Sequence, residues 1–410
     1  MLTSIKIEKL FDIFDYDIEF KEEGITILTG PNGYGKTTVL TILDALATQN
    51  TFYFINLLFK KITLTLFDGN PIVLEKHITN EVVITIGESE PVTLTSKSEK
   101  VDWAEFFSMF SNSLKKDIPV SQELEDKAQT NKFPKLPKFP DVYFIREQRL
   151  LRSASNNKTR QINSKGSEEN IEIIAFSNTI EEYARELYEN IKETLAKSSQ
   201  INQELDSSFP RRLFDQDSGI SEDEFKHRFN KVKDIQKALN EFGLSDIKED
   251  SHPTYKKENA NALYVYIGDA EEKLAVFSEL LGKLKAFTDI LNEHRFTFKR
   301  IVISKEDGFK FYTDLGKLLK LSDLSSGEQH EVVLLYELLF KVKPGTLVLI
   351  DEPELSLHVV WQKQFLDDLF KIIELQKINI VVATHSPQII NNHWDLTVDL
   401  EVLRDAATSR

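Results

Sequence analysis

Four short segments of the chain carry residue types whose spacing suits phosphate chemistry. The first, GPNGYGKTT, comprises Gly30, Pro31, Asn32, Gly33, Tyr34, Gly35, Lys36, Thr37 and Thr38 and satisfies G-x-x-x-x-G-K-[ST]. Its glycines let backbone N–H groups turn inward on a phosphate, Lys36 is placed to reach the β- and γ-phosphates, and the Thr37 hydroxyl suits Mg²⁺. The second, TLVLIDEPE, is an apolar run that ends in the consecutive carboxylates Asp351 and Glu352. Successive strand residues point to opposite faces, so the two divide the work: Asp351 is expected in the metal's shell and Glu352 as general base on the attacking water. The third, INIVVATHSPQII, delivers His385 to the C-terminal end of another apolar run, where ligands gather in parallel α/β sheets. A lone histidine there is commonly structural; beside the other segments it is placed to sense the γ-phosphate by a hydrogen bond. The fourth, LSSGEQH, holds Ser325, Ser326, Gly327 and Glu328 in a turn that opens a helix, and free N–H groups at such a start attract anions. Taken alone, that segment is only a helix cap.

These residues need elements to position them. GITIL runs straight into the glycine loop and VLTILDAL has helical spacing, which together read as strand, loop and helix. The runs KITLTLFDG, PIVLEKHI, EVVITIGE and PVTLTS alternate and read as a small antiparallel sheet; VYFI, residues 142–145, reads as a buried strand. FPKLPKFP, with three prolines in its eight residues, forbids regular helix. Residues 153–166 are polar and small and are expected to be a mobile loop. From about 171 to 295 Glu, Lys, Leu and Ala recur at helical spacing, interrupted near Pro210, Gly219 and Pro253, which suggests three helices, the last piece folding as a hairpin arm. The β character returns in FTFKRIVIS and FKFYTDL. The expected fold is therefore α/β, a mixed sheet plus a small antiparallel sheet with a helical insertion. Its parts are an N-terminal lobe over 1–152, an insertion for assembly or partner contact over 153–295, and a C-terminal lobe over 296–410.

In kind and order the four segments resemble the ATPase head of the ABC superfamily, a P-loop NTPase fold: Walker A, signature, Walker B with its glutamate, and switch histidine. Gln148, in VYFIREQRLL, is similar to the Q-loop glutamine, which contacts Mg²⁺ and the attacking water, and ELSLH occupies the D-loop position. The resemblance covers roughly residues 1–150 and 296–400. It implies an Mg²⁺-dependent ATPase in which Ser325 and Gly327 of one copy seal ATP held by another, giving an ATP-sandwiched dimer or higher oligomer. The wide separation of Walker A from the signature resembles the SMC, RecF and OLD-like (AAA_21) group. GPNGYGKTT, YFIREQR, SSGEQH, DEPELSLH and ATHSPQII look like stand-alone ATPases of bacterial anti-phage systems, including PARIS and relatives of the Septu and Gabija ATPases. That implies a sensor or switch subunit controlling a separate effector, a Toprim or HNH nuclease.

Composition narrows the partners. The 410 residues are 41% hydrophobic, enough for a sizeable core, and carry a formal net charge of -15, which disfavours nucleic acid and anionic membrane except at a local patch. Lys132, Lys135, Lys138, Arg146, Arg149, Arg152, Lys158, Arg160 and Lys165 form the one such cluster. It could bind DNA, as in a RecF- or SMC-like repair ATPase, or an acidic phage trigger protein, or be a solvated loop with paired charges. The absence of cysteine excludes disulfides, thiolate-bound metals and a cysteine nucleophile. With no spanning apolar stretch and no basic leader, a soluble cytoplasmic protein without membrane contact is expected. Phe11 and Phe14 are open to two readings, base stacking or core.

Overall fold

The computed structural model describes residues 2–78, 81–95, 133–136, 139–146, 151–153, 158–162, 168–172, 176–245, 253–355 and 357–408. The chain divides into two compact units, Met1–Thr179 with Val333–Arg410, and Ile180–Val332. In the first unit β1 (Leu2–Leu10) and β2 (Phe14–Glu19) pair antiparallel, and β3 (Ile25–Thr29) leads through the glycine loop to α1 (Lys36–Ala47) and α2 (Thr51–Asn56). β4 (Lys61–Leu66), β5 (Pro71–Ile78), β6 (Glu81–Ile86) and β7 (Val92–Thr95) complete an antiparallel sheet of order β2-β1-β4-β5-β6-β7. Its strands alternate buried and half-buried residues, as a sheet with one covered face requires.

After β8 (Val142–Ile145) come four short strands, β9 (Leu151–Ser153), β10 (Lys158–Ile162), β11 (Glu168–Glu172) and β12 (Phe176–Asn178). The expected loop over 153–166 is corrected here: β10 pairs antiparallel with β11, Lys158 opposite Glu172, and β9 pairs with β12. A ladder needs only backbone donors and acceptors, so a segment without apolar periodicity can still form one.

The second unit holds α3 (Thr179–Phe214), α4 (Glu222–Glu241), α5 (Ala260–Ala275) and α6 (Ser278–Ile290). Among the described residues four α-helices thus stand where three were expected. α3 runs through Pro210, and the stretch expected as a hairpin arm is α5 and α6 joined by Val276 and Phe277 alone. A three-stranded antiparallel sheet follows, β13 (Lys299–Ser304), β14 (Gly308–Thr313) and β15 (Leu318–Leu319). Gly308 opens β14 at φ 79, and any side chain there would collide with the carbonyl of Ala184 on α3. α7 (Ser326–Tyr336) then carries the chain back to the first unit.

There β16 (Leu347–Asp351), α8 (Val359–Gln362), α9 (Phe365–Gln376), β17 (Asn379–Ala383), α10 (Pro387–Ile390), β18 (Thr397–Asp399) and α11 (Leu400–Thr408) complete the chain. An all-parallel sheet of order β18-β3-β17-β16-β8 results. Every residue of β3 is buried, and β16 and β17 are buried but for one residue each, the pattern of strands covered on both faces. α1 supplies Val39, Leu40, Ile42, Leu43 and Leu46 to one core shared with Ile5, Ile7, Ile62 and Leu64 of the antiparallel sheet and Leu349 and Val381 of the parallel one. Each such side chain contributes about 1.5–3 kcal/mol through burial, which anchors the helix that begins at the glycine loop. Among the described residues no helix is long and apolar enough to cross a membrane.

Arginines tie the helices of the second unit together. Arg212 of α3 grips both carboxylate oxygens of Asp269 on α5, and Arg228 of α4 meets Glu271 on α5 at 2.9 and 2.7 Å. Asp269 is 7% exposed, so it depends on its cation to offset desolvation. Arg212→Met keeps most of the apolar stem but strands that carboxylate; the expected loss is about 2 kcal/mol, below that for a fully buried pair because Arg212 is partly exposed. Urea unfolding of the full chain followed by helical circular dichroism reads this, and an unchanged midpoint would count against it.

Candidate nucleotide-binding site

The glycine loop lies between the end of β3 and the first turn of α1. Pro31, Asn32 and Gly33 are exposed, and Gly33 and Gly35 sit at φ 88 and 79, a region costly for side chains with a Cβ. Gly35 is the N-cap of α1, so Lys36, Thr37 and Thr38 form its first turn, where unpaired N–H groups face an anion. Lys36 is 5% exposed and its ammonium donates to the carbonyls of Gly30 at 2.7 Å and Pro31 at 3.2 Å. The lysine is thereby held along the loop it would share with a phosphate.

Tyr34, the variable residue before Gly35, is fixed from two sides. Its carbonyl accepts the Tyr16 hydroxyl at 2.7 Å, and its own hydroxyl donates to Glu401 at 3.3 Å and accepts from Arg404 at 2.8 Å. The Arg404 guanidinium also lies 5.0 Å from the Tyr34 ring centroid, a cation–π contact. α11 therefore fastens the loop, a role that no motif announces; the only signal is the helical spacing of Leu400 and Leu403. Phe14 is 8% exposed and stacks on Tyr16 with centroids 5.6 Å apart, which places it in the core.

At the end of β16 the carboxylates meet the loop. Thr37 Oγ1 donates to Asp351 Oδ1 at 3.2 Å, joining positions 314 residues apart. These are two hard oxygen donors side by side, the set that Mg²⁺ prefers. Glu352 does not continue the strand alternation: the strand ends at Asp351, and Glu352 adopts φ 44, while its N–H donates to the Ala383 carbonyl at 2.9 Å. Glu352 departs from the Asp351 direction because the chain enters the left-handed region, not because a pleat reverses it.

His385 follows β17. Its Nδ1 lies 4.0 Å from Glu352 and 3.1 Å from Glu354, and Glu354 also accepts the Thr384 hydroxyl at 2.7 Å and the His385 N–H at 2.9 Å. Glu354 was legible only as the start of the D-loop position; its spacing two residues beyond Glu352 gave no hint of a histidine partner. Gln362 supports the same corner, donating to Leu357 O at 3.0 Å and accepting Ser386 Oγ–H at 2.9 Å.

The segment Ser325 to Glu328 belongs to the second unit and forms a capping box. The Ser325 N–H and hydroxyl donate to Glu328 at 2.8 and 3.0 Å, and Ser325 Oγ accepts the Glu328 N–H at 3.4 Å. Lys299 of β13 closes on both Glu328 oxygens at 2.8 Å. Ser326 and Gly327 are the first two residues of α7. Gln148 lies outside the described residues, as do Lys132, Lys138, Arg149 and Lys165. Arg146 is not a free cation of the basic cluster: it pairs with Asp44 of α1 at 3.1 Å and lies 4.5 Å from the Phe144 ring. Burial pushes the Asp44 carboxyl above its ordinary range, and Arg146 partly offsets this.

Burial pushes the Glu328 carboxyl up, but the Lys299 ammonium and the Ser325 donors together hold it below the ordinary range. A depressed carboxyl contributes stability above its unfolded pKa and loses it as pH falls through the folded value. Lys299→Met leaves burial less opposed, so the acid-side loss of thermal stability should begin at higher pH than in the wild type. Melting temperatures between pH 3 and 7 test this; superimposable profiles would contradict the assigned role of Lys299.

Among the curated proteins none matches this chain. Among solved structures it is similar to the Smc head domain of Pyrococcus furiosus, solved with an extended coiled coil and bound to the C-terminal domain of ScpA, with 14% identity and TM-score 0.36, covering 95% of this chain and 90% of that one. It is also similar to the SMC head domain from Thermotoga maritima, at 12% identity and TM-score 0.37 over 95% and 90% of the two chains. Residues 25–391 match the family AAA_21, described as "AAA domain, putative AbiEii toxin, Type IV TA system". A match across the glycine loop, both carboxylates and the histidine places the chain in that family: it belongs to the AAA_21 group of P-loop ATPases.

Proposed function

We propose that the chain hydrolyses ATP to ADP and phosphate with Mg²⁺, in a site completed by a second copy. The observation that carries this reading is the Thr37–Asp351 hydrogen bond, which brings the phosphate loop and the end of β16 to one point, with Glu352 and His385 beside it. Gly30 to Gly35 and the first turn of α1 would hold the phosphates, Lys36 would leave the loop carbonyls for β- and γ-phosphoryl oxygens, and Thr37 and Asp351 would hold the cation. When bound, Mg²⁺ supplies charge neutralisation on the transferred phosphoryl group. Glu352 orients the attacking water and takes its proton, and His385 meets the γ-phosphate. Gln148 is assigned by motif likeness to the metal and water. Ser325, Ser326, Gly327 and Glu328 of the second copy would cover the γ-phosphate, offering the N–H groups of a helix start.

In the cell we assign the ATPase to a switch subunit of an anti-phage system that restrains or releases a separate Toprim or HNH nuclease. Supporting this are the likeness of the five motifs to such ATPases and the toxin wording of the family's description. A salt titration with duplex DNA separates this from a RecF-like repair role: affinity that falls linearly in log salt favours repair.

Glu352→Gln should lower turnover by orders of magnitude while ATP-bound dimers accumulate, because water activation is lost and a repelling charge is removed. Light scattering with and without ATP, alongside phosphate release, checks both, and wild-type turnover in this variant would sink the assignment. Lys36→Ala should abolish nucleotide binding in calorimetry; undiminished affinity would end the phosphate-loop reading.

A further inference from the structure

Glu354 is the one carboxylate at this corner to which the ATPase reading gives no task. Its side chain is 6% exposed, and its Oε1 collects Thr384 Oγ1–H at 2.7 Å, His385 N–H at 2.9 Å and His385 Nδ1 at 3.1 Å. The His385 N–H can only donate, and the Thr384 hydroxyl, whose oxygen already accepts the Ser386 N–H at 3.0 Å, directs its proton to Oε1; this oxygen is therefore an acceptor, and the ring nitrogen beside it brings a proton. The other oxygen, Oε2, is buried without a hydrogen-bond partner among the described residues. Its hydrogen bonds run to the two residues that follow β17, Thr384 and His385.

We propose that Glu354 is a positioning residue that holds the His385 imidazole in its Nδ1–H tautomer, leaving Nε2 as the ring atom that works on the nucleotide. The geometry also separates the two glutamates. Glu352 lies 4.0 Å from the same Nδ1, beyond hydrogen-bond reach, while Glu354 takes it at 3.1 Å. The ring is thereby kept from Glu352, which stays free for water. The His385 side chain is 45% exposed, so protein does not enclose the ring. A histidine whose tautomer is fixed by a carboxylate presents a defined donor or acceptor on its far nitrogen, and an unfixed ring does not. The effect on turnover rests on the ATPase reading; the tautomer does not.

The test is two-bond ¹H–¹⁵N correlation of the imidazole nitrogens in the full chain, at a pH where the ring is neutral, with His385 assigned by its absence from His385→Asn. The wild type should show Nδ1–H. Glu354→Gln keeps an acceptor oxygen and should preserve it, and Glu354→Ala should release the ring to the Nε2–H form that free imidazole favours. In turnover, Glu354→Ala should lose roughly 10- to 100-fold in kcat with ATP affinity within about twofold, as removal of an orienting partner does. Glu354→Gln should recover most of that loss, and Glu354→Ala with His385→Ala together should be no slower than His385→Ala alone. An Nε2–H ring in the wild type, an unchanged tautomer in Glu354→Ala, or losses that multiply in the double variant each overturn the proposal. If Glu354→Ala does not fold, the wild-type and Glu354→Gln spectra decide it. A wild type with a fixed Nδ1–H ring but no turnover would instead defeat the ATPase reading and leave this one standing.

Discussion

Parallel pairing of β3, β17 and β16 is the constraint on which the site depends. In a parallel sheet every strand delivers its following loop to the same end, so three segments far apart in sequence emerge side by side without any further design. The register makes this concrete: Asp351 is level with Ala383, and Ala383 with Leu28, so the glycine loop, the paired carboxylates and the histidine all begin within a residue or two of one level. The core beneath holds that register. A one-residue slip of β16 would move Asp351 away from Thr37 and drive buried Val348 and Ile350 toward the wrong faces.

Gathering these loops also gathers negative charge, for Asp351, Glu352 and Glu354 lie within four residues. The structure distributes them among different partners. Asp351 takes the Thr37 hydroxyl, Glu354 takes the donors at the end of β17, and Glu352 is turned aside by a left-handed backbone step. Backbone strain of this kind costs on the order of 1–3 kcal/mol and persists only where surrounding bonds enforce it; here the Glu352 N–H is pinned to the Ala383 carbonyl.

Much of this was legible in the sequence, and each miss has its own physical cause. The glycine loop, Asp351 and His385 could be read because each combines a rare residue pattern with the apolar run that must precede it. The β16 and β17 strands were visible because burial on both faces leaves uninterrupted Val, Ile and Leu. Contacts that depend on tertiary closeness alone left no local trace: Arg404 on Tyr34 spans 370 positions and Arg146 on Asp44 spans 102. Periodicity likewise misjudged Pro210, since proline removes one helical hydrogen bond and α3 extends only four residues beyond it. The polar strand pair of β10 and β11 escaped because it lacks the apolar alternation by which strands are recognised.

The turn at Ser325 shows how a local capping motif constrains a distant function. Its hydroxyl has one proton, and that proton is directed to Glu328, while an oxygen lone pair receives the Glu328 N–H. In this arrangement the serine has no proton left for a phosphate, and the carboxylate behind it would repel one. Lys299, paired with both Glu328 oxygens, screens that charge from the side of β13. In the proposed role of covering a γ-phosphate, the Ser325 hydroxyl would rotate from Glu328 toward the nucleotide, an exchange of one acceptor for another that Lys299 makes cheaper by keeping the abandoned carboxylate paired. Asn292 fixes β13 in turn, accepting the Ile301 N–H at 2.8 Å and donating to its carbonyl at 3.2 Å, so the residue just beyond α6 helps to hold the strand that carries this lysine. A partner that shifted the end of α6 would act on Ser325 through that strand and Lys299.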